Sequence, residues 1–267
     1  MLSKEIIEQA AIDHLEAEVN SKPGSPLSIK HPEMTLEDGY AIQKRWVDKK
    51  IEQGQKVVGY KIGYTSRAMQ KALNINEPDF GVLLDSMVFE DGAQIEVSKF
   101  CDPRIEVELA FVLKDRLEGE NVTIFDVLNA TDYVVPALEL IDARTHRKDP
   151  ETGYTRKVFD TVADNAGNAA IIMGGRPIKP LDMDLRWCGG ILNINGTIEE
   201  TGLAAAVLNH PANGICWVAK RFAPHGIALE PGQIILSGSF TAPVAVKAGD
   251  TINADYGPLG TISCRFI

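Results

Sequence analysis

The chain has 267 residues, 45% apolar and 24% charged, with 27 Lys plus Arg against 37 Asp plus Glu for a formal charge of −10. That composition is ordinary for a folded globular chain and argues against disorder, while the acidic excess without a basic run argues against a nucleic-acid partner. No apolar stretch reaches membrane-spanning length, and "MLSKEIIEQAAIDHLEAEVN" is charged throughout, unlike a secretory leader, so a cytoplasmic chain with no membrane partner is expected.

The first fifty or so residues read as helical. Ile7, Ala11 and Leu15 recur at spacing four, and the segment runs into the loop "NSKPGSPLS". A second helix is predicted from "TLED", where Thr35 and Asp38 have capping-box spacing. Leu36, Tyr40, Val47 and Ile51 would line its apolar face, and Gly54 would end it. From Val57 the texture changes to short strands: "VVGYKIGYT", "PRIEVELAFVL", "YVVPALELID" and "NAAIIMGG". "ILNINGTIEE" carries a hairpin signal, with Asn195-Gly196 suited to a type I′ turn. "NGICWVAKRFAPHG" returns to helix, and the tail holds the strand-like "QIILSG", "APVAVKAGDTINADY" and "GTISCRFI". Strands do not alternate regularly with helices, which predicts an α+β fold with a large mixed or rolled sheet rather than a doubly wound one. The expected organisation is an N-terminal helical subdomain over 1–56 and a β-rich catalytic domain over 57–267. Cys101, Cys188, Cys216 and Cys264 form no C-x-x-C pair and read as reduced packing residues; with the histidines dispersed as well, any metal here would have oxygen ligands.

Within "PRIEVELAFVL", period-two alternation puts Arg104, Glu106, Glu108 and Ala110 on one face. Two carboxylates on a buried face repel each other and cost several kcal/mol, roughly, unless paired or bound to a cation. Glu139 sits in the apolar "YVVPALELID" with Val135, Ala137 and Ile141 on its face. Residues i and i+2 lie about 7 Å apart along a strand, so two flexible carboxylates can converge on one ion such as Mg²⁺ or Mn²⁺. Spacing alone leaves metal ligation and a solvated strand face equally open.

Lys61 shares its strand face with Val57, Gly59 and Gly63, so side-chain-free positions flank it and would admit a ligand near the backbone. It could bind a carboxylate or transfer protons, but an edge-strand lysine that discourages aggregation fits the strand as well. Asp79 of "NEPDFGVLLDSM" follows Pro78 as a turn aspartate would; its "DFG" lacks the other motifs of a kinase. Arg156 and Lys157 could meet an anionic group or be solvated loop charge. In "LSGSFTAP", Ser237, Gly238 and Ser239 could cup a carboxylate or form a plain turn.

Together, "GYKIGYTSRAMQ", "NEPDFGVLLDSM", "PRIEVELAFVL", "PALELID", "DTVADNAG" and "LSGSFTAP" give the chain, over nearly its whole length, a resemblance to the fumarylacetoacetate hydrolase superfamily, hydratase/decarboxylase branch. That resemblance implies water addition to a 2-hydroxy-2,4-dienoate or its 2-oxo-enoate tautomer in aromatic catabolism, the seven-carbon diacid above all. The alternatives are a five-carbon dienoate substrate, decarboxylation of 4-oxalocrotonate, or a non-catalytic partner subunit. It implies Glu106, Glu108 and Glu139 as ligands of Mg²⁺ (Mn²⁺ possible), Lys61 and Asp79 at the reacting carbons, and Ser237-Gly238-Ser239 at the substrate's carboxylate end. The far carboxylate of a diacid needs a cation; Arg67, Arg144, Arg147, Arg156 and Lys157 are candidates, with the 144–157 segment favoured. Hydrolytic members use a histidine-containing dyad, whereas His14 and His31 fit no such motif, which weakens carbon–carbon hydrolysis. A homo-oligomer, pentamer-based, is also implied.

Overall fold

The structure, a computed structural model, describes residues 1–267, the side chain of Leu73 excepted. It opens with helices α1 (Lys4–Asn20), α2 (Leu27–Lys30) and α3 (Leu36–Glu52). Next come β1 (Val57–Gly63), α4 (Arg67–Leu73), β2 (Asp79–Leu84), β3 (Val88–Glu90), β4 (Ala93–Ile95) and β5 (Arg104–Leu113). They are followed by α5 (Ile124–Ala130), β6 (Thr131–Ile141), α6 (Val158–Ala163), β7 (Asn168–Met173), β8 (Gly189–Ile194) and β9 (Thr197–Leu203). The chain closes with α7 (Ala212–Phe222), β10 (Ile234–Leu236), β11 (Val244–Ala245), β12 (Thr251–Asp255) and β13 (Thr261–Phe266).

The strands form two mixed sheets. The larger, eight-stranded one runs β2-β1-β10-β5-β6-β7-β3, with β11 paired to the start of β5, and the five-stranded one runs β4-β13-β12-β8-β9. This is the α+β architecture with mixed sheets that the strand texture predicts. Local chemistry sets several boundaries. The Thr35 hydroxyl accepts from the Asp38 amide while the Asp38 carboxylate accepts from the Thr35 amide, starting α3; Thr123 and Asp126 start α5 in the same way. Asn195 and Gly196 both take left-handed φ, at 55° and 83°, as the turn between β8 and β9 requires.

Alternation divides the larger sheet into two unlike faces. Ile105, Val107 and Leu109 of β5 and Leu138 and Leu140 of β6 point into the main core, which the smaller sheet and α7 complete. The opposite face is a small apolar patch, including Ala110, Val135, Ala137 and Leu236, on which the acidic residues stand. The N-terminal helices pack against β2, the end strand of the larger sheet, through a cluster of Ala11, Trp46, Val47, Val82, Leu84 and Met87. Gln43 of α3 donates to the Phe80 carbonyl at 2.8 Å, satisfying backbone at the sheet's edge. The buried face of α3 differs from the expected one: it runs through Gly39, Ile42, Gln43, Trp46, Val47 and Lys50, and Ile51 is exposed. Lys50 reaches it because its stem packs inward while its ammonium pairs with Glu18 of α1 at 2.8 Å. All four cysteines are free thiols. Among the described residues no helix is long and apolar enough to cross a membrane.

Candidate active site

The acidic face is not solvated. Glu108 and Glu139 are each 1% exposed, and Glu106 is half-buried. The antiparallel register of β5 and β6 sets Glu106 directly opposite Glu139 and Glu108 opposite Ala137. Three carboxylates therefore share one low-dielectric floor. Burial first, then the charge of Glu139, pushes Glu106 up to about 8 and Glu108 well above the usual carboxylate range.

Lys61 is also inside. Strand β1 lies between β2 and β10, so it is not an edge, and Lys61 is 4% exposed with its Nζ 3.4 Å from Glu139 Oε1. Burial works against its charge, but Glu139, Asp79, Glu106 and Glu108 outweigh it and hold the ammonium more firmly than usual. Asp79 begins β2 opposite Gly63 and is 2% exposed, a strand position rather than a solvated turn. Burial raises its carboxyl to about 6 against the pull of Lys61. Neither oxygen has a fully formed hydrogen bond, although the Gly63 amide faces the carboxylate.

The glycines around Lys61 serve the protein, not a ligand at the backbone. A Cβ on Gly59 would lie 1.8 Å from the Ile234 carbonyl oxygen, and one on Gly63 would lie 2.2 Å from Asp79 Oδ1 and 3.0 Å from Lys61 Nζ. Their missing side chains let β10 and Asp79 approach. Gly81 similarly clears the Lys61 stem, at 3.2 Å from Cγ.

After β10 the chain runs on antiparallel along β5. Ser237 N donates to the Leu109 carbonyl at 3.1 Å and Phe240 N to that of Val107 at 3.2 Å. Between them, Gly238 N donates to Glu108 Oε2 at 2.9 Å, fixing that carboxylate. The Ser237 hydroxyl is buried without a partner, and Ser239 Oγ donates to the Thr241 carbonyl at 2.9 Å while lying close to Glu106. Across the sheet, the Tyr256 hydroxyl donates to the Ala137 carbonyl at 2.5 Å, tying the smaller sheet to β6 opposite Glu108.

The cations of the 144–157 segment part company. Arg156 is largely buried and acts on both Asp79 and Tyr64. Arg147 faces Glu106 but donates to Asp102 Oδ2 at 2.7 Å. Arg144 is locked to Asp164 at 2.5 Å, away from the acidic floor. Lys157 is not brought to these groups: it is exposed, with Nζ 5.5 Å from the Tyr154 ring centroid. Arg67 is engaged by Gln70 at 3.0 Å. His14 is buried with Nε2 3.0 Å from the Thr145 hydroxyl, and His31 pairs near the surface with Glu33. Sequence reasoning does not single out Tyr64. Its one sequence signal is its place three residues beyond Lys61.

Glu106, Glu108 and Glu139 could together hold a divalent cation. The fit is mixed in geometry and favourable in chemistry. Among the described residues no three Asp, Glu, His or Cys side chains already form a ligand shell, and Glu139 Oε1 lies 3.4 Å from Lys61 Nζ. The donors nevertheless fit a hard cation: all are carboxylates, two have raised pKa values, and Glu139 Oε1 is buried without a hydrogen bond.

The chain is 60% identical to the 2-oxo-hept-4-ene-1,7-dioate hydratase of Escherichia coli over 241 residues, 90% of each chain. It is 39% identical to a 2-keto-4-pentenoate hydratase of Paraburkholderia xenovorans, over 97% of this chain and 94% of that one. The solved 4-oxalocrotonate decarboxylase of Pseudomonas putida G7, complexed with magnesium and adipate, superimposes with a TM-score of 0.94 at 35% identity, covering 100% of this chain and 99% of that one. The family model for the fumarylacetoacetate (FAA) hydrolase C-terminal region matches residues 52–267, and the chain belongs to the fumarylacetoacetate hydrolase family, in its hydratase/decarboxylase branch.

Proposed function

We propose that this chain is a hydratase that converts 2-oxo-hept-4-ene-1,7-dioate, by way of its 2-hydroxyhepta-2,4-dienedioate tautomer, to 4-hydroxy-2-oxoheptanedioate in aromatic catabolism. The 60% identity to a hydratase of that substrate carries the reading most strongly. The buried Lys61 and Asp79 beside three carboxylates supply groups suited to the chemistry.

Glu106, Glu108 and Glu139 would hold Mg²⁺, or Mn²⁺ in its place, which when bound supplies Lewis acidity to the 1-carboxylate and 2-oxo end of the substrate. Lys61 stays an ammonium across the neutral range, so its role is to stabilise oxyanion charge as the enolate develops. Asp79, raised to about 6, sits near the pH at which a carboxyl both gives and accepts a proton. It would protonate the dienol at C5, producing the 2-oxo-3-enoate. Water then adds at C4, and C3 is reprotonated. The Ser237-Gly238-Ser239 turn orients Glu108 and covers the floor of the site. The proposed setting is a cytoplasmic homo-oligomer.

A decarboxylase reading is favoured by the likeness to the Pseudomonas putida G7 enzyme and rests on the same enolate chemistry. Purified protein incubated with the seven-carbon dienoic diacid and, separately, with 4-oxalocrotonate, each with and without EDTA, separates the two. Hydration is expected to remove the dienol absorbance without CO₂, and only in the presence of the cation. Stoichiometric CO₂ would replace hydration by decarboxylation, and undiminished turnover after complete metal removal would overturn the cation's part.

A further inference from the structure

Lys61 and Asp79 are carried by strands that are held unequally. Lys61 lies on β1, which has β2 on one side and β10 on the other. Just past its end the Thr65 side chain packs against Gly238, where an added Cβ would meet Oγ1 at 2.2 Å. Asp79 lies on β2, the end strand, which among the described residues has a strand partner on one side only. Its outer edge is met instead by side-chain amides. Gln43 serves the Phe80 carbonyl, and Asn165 serves both backbone groups of Val82. Asn165 Oδ1 accepts from Val82 N at 2.8 Å, and Nδ2 donates to Val82 O at 2.9 Å. One carboxamide thus stands in for a neighbouring strand.

Asn165 sits in a turn that is itself fixed. Asn165, Ala166 and Gly167 take φ of 50°, 52° and 72°, three left-handed residues in succession, and such backbone persists only where its surroundings enforce it. On one side Asp164 is held by Arg144, whose Nη2 also donates to the carbonyls of Asp164 and Asn168 at 3.1 and 2.9 Å. On the other, the Gly167 carbonyl accepts from Asp142 N at 2.7 Å. The Asn168 side chain adds a second donor to Val82 O at 2.9 Å. The Asn165 carbonyl reaches toward Lys61: a Cβ on Gly81 would lie 2.5 Å from that oxygen and 3.2 Å from Lys61 Cγ. Gly81 is opposite Lys61 in the β1–β2 register and shares a face of β2 with Asp79. The same residue therefore fixes β2 at its edge and walls the Lys61 stem over its face.

We infer that Asn165 is a positioning residue, which through Val82 and Gly81 holds Asp79 and Lys61 at the separation that proton transfer requires. This rests on the reading that these two groups act on the enolate of a 2-oxo acid. Asn165 is 1% exposed and both ends of its carboxamide are engaged by Val82, so it acts through the strand and not on the substrate.

Asn195, in the β8–β9 turn, provides a matched control. It is also left-handed, at φ 55°, and its carboxamide donates to Asp250 Oδ1 at 2.8 Å and accepts from Thr251 N at 2.9 Å. Replacing either asparagine by Gly keeps the backbone conformation and removes two bonds. In D₂O with excess Mg²⁺, exchange of a C3 proton of the saturated analogue 2-oxoheptanedioate for deuterium needs the Lys61 charge and a proton acceptor beside it, but not hydration. Calorimetry gives the analogue's affinity. Asn165→Gly is expected to slow this exchange, and kcat for 2-oxo-hept-4-ene-1,7-dioate, by about 10- to 100-fold. Affinity and KM should stay within about 2-fold of wild type, the split expected when only the transition state is affected. Asn195→Gly should lower the melting temperature comparably and leave exchange and kcat unchanged. Asn165→Asp, which keeps the acceptor for Val82 N, should fall between wild type and Asn165→Gly, and it carries the test if the latter does not fold. Unchanged exchange in the Asn165 variants, equal slowing in Asn195→Gly, or a loss of affinity that accounts for the slowing would overturn the inference. Failure of both Asn165 variants to fold, or no exchange by the wild type, would overturn it as well. Exchange that depends on Asn165, without turnover of the diacid, would sink hydration and leave the positioning role standing.

Discussion

Two buried charged clusters lie on neighbouring parts of this fold, and they are built on opposite terms. The Arg144 guanidinium is well partnered, although Asn168 Oδ1 and Trp46 Nε1 beside it are buried without hydrogen bonds. Its Nε donates to Asp164 at 2.5 Å, Nη2 donates to the carbonyls of Asp164 and Asn168 at 3.1 and 2.9 Å, and the guanidinium lies 5.2 Å from the Trp46 ring centroid. On the acidic face, Glu106, Glu108, Glu139 and Asp79 carry four potential negative charges around the ammonium of Lys61, while the nearby Arg147 and Arg156 pair with Asp102 and Asp164. Both oxygens of Asp79 and Oε1 of Glu139 lack hydrogen bonds. A satisfied buried network holds elements together, whereas an unsatisfied one stores electrostatic cost that a ligand can relieve. The contrast separates structure from chemistry more sharply than burial does, since both clusters are almost wholly inside.

If that contrast is right, substitutions in the two clusters should move stability in opposite directions. The largest effect on folding is expected from Arg144→Met, which leaves buried Asp164 with only the longer 3.3 Å contact to Arg156: a loss of about 3–5 kcal/mol in denaturant unfolding. A loss below about 1 kcal/mol would show that the network matters less than its geometry implies. Glu108→Gln should do the reverse, raising the melting temperature of the metal-free protein by removing a carboxyl that must take up a proton to be buried. It should also lower kcat/KM by about 10²–10³-fold, as loss of one electrostatic contributor does. Lower stability together with near-normal activity would break the comparison.

The pH dependence gives a finer test. Glu106, Glu108 and Asp79 have folded pKa values above their unfolded ones, so between about pH 4 and 8 the folded state binds more protons than the unfolded state. Their contribution to stability is therefore present at low pH and lost as pH rises through 6 and 8. In EDTA, the melting temperature should lose a contribution from these groups over that window. Saturating Mg²⁺ should flatten this slope, because a bound cation favours the deprotonated acids. Equal slopes in both conditions would count against a cation at the glutamates. The smallest effect is expected at a site remote from both clusters: Thr35→Ala removes the capping hydroxyl of α3 and should cost about 1 kcal/mol in unfolding with little change in kcat/KM.

Much of the acidic face is legible in the amino-acid sequence because it depends on local rules. Period-two alternation puts Glu106 and Glu108 on one side of β5, and it puts Glu139 with Ala137 and Val135 on one side of β6. Register and burial are not legible there, because they depend on strands and helices far apart along the chain. That Glu106 faces Glu139 follows from β5–β6 pairing, and only the position of β1 between β2 and β10 excludes an edge lysine at 61. The arginines of the 144–157 segment look alike in a polar stretch. Arg144 is set apart by Trp46 on α3 and Asp164 beyond α6, which no spacing rule brings to it. The space beside Lys61 is visible as glycines, but its occupant, Asp79, arrives from another strand. The left-handed backbone of Tyr64 gives no local sign either, because it is expected of Gly or Asn, not of an aromatic residue.

The contact between Gly238 and Thr65 bears on how such a site can evolve. Gly238 takes φ 122°, presents its amide to Glu108, and is pressed so closely by Thr65 that a single added carbon has nowhere to go. Positions 65 and 238, far apart in sequence, are in effect one locus. A side chain at 238 becomes tolerable only after residue 65 shrinks, and even then the backbone must keep a conformation that favours glycine. Lineages that explore new substrates through this turn would have to change both positions, with the first step at 65.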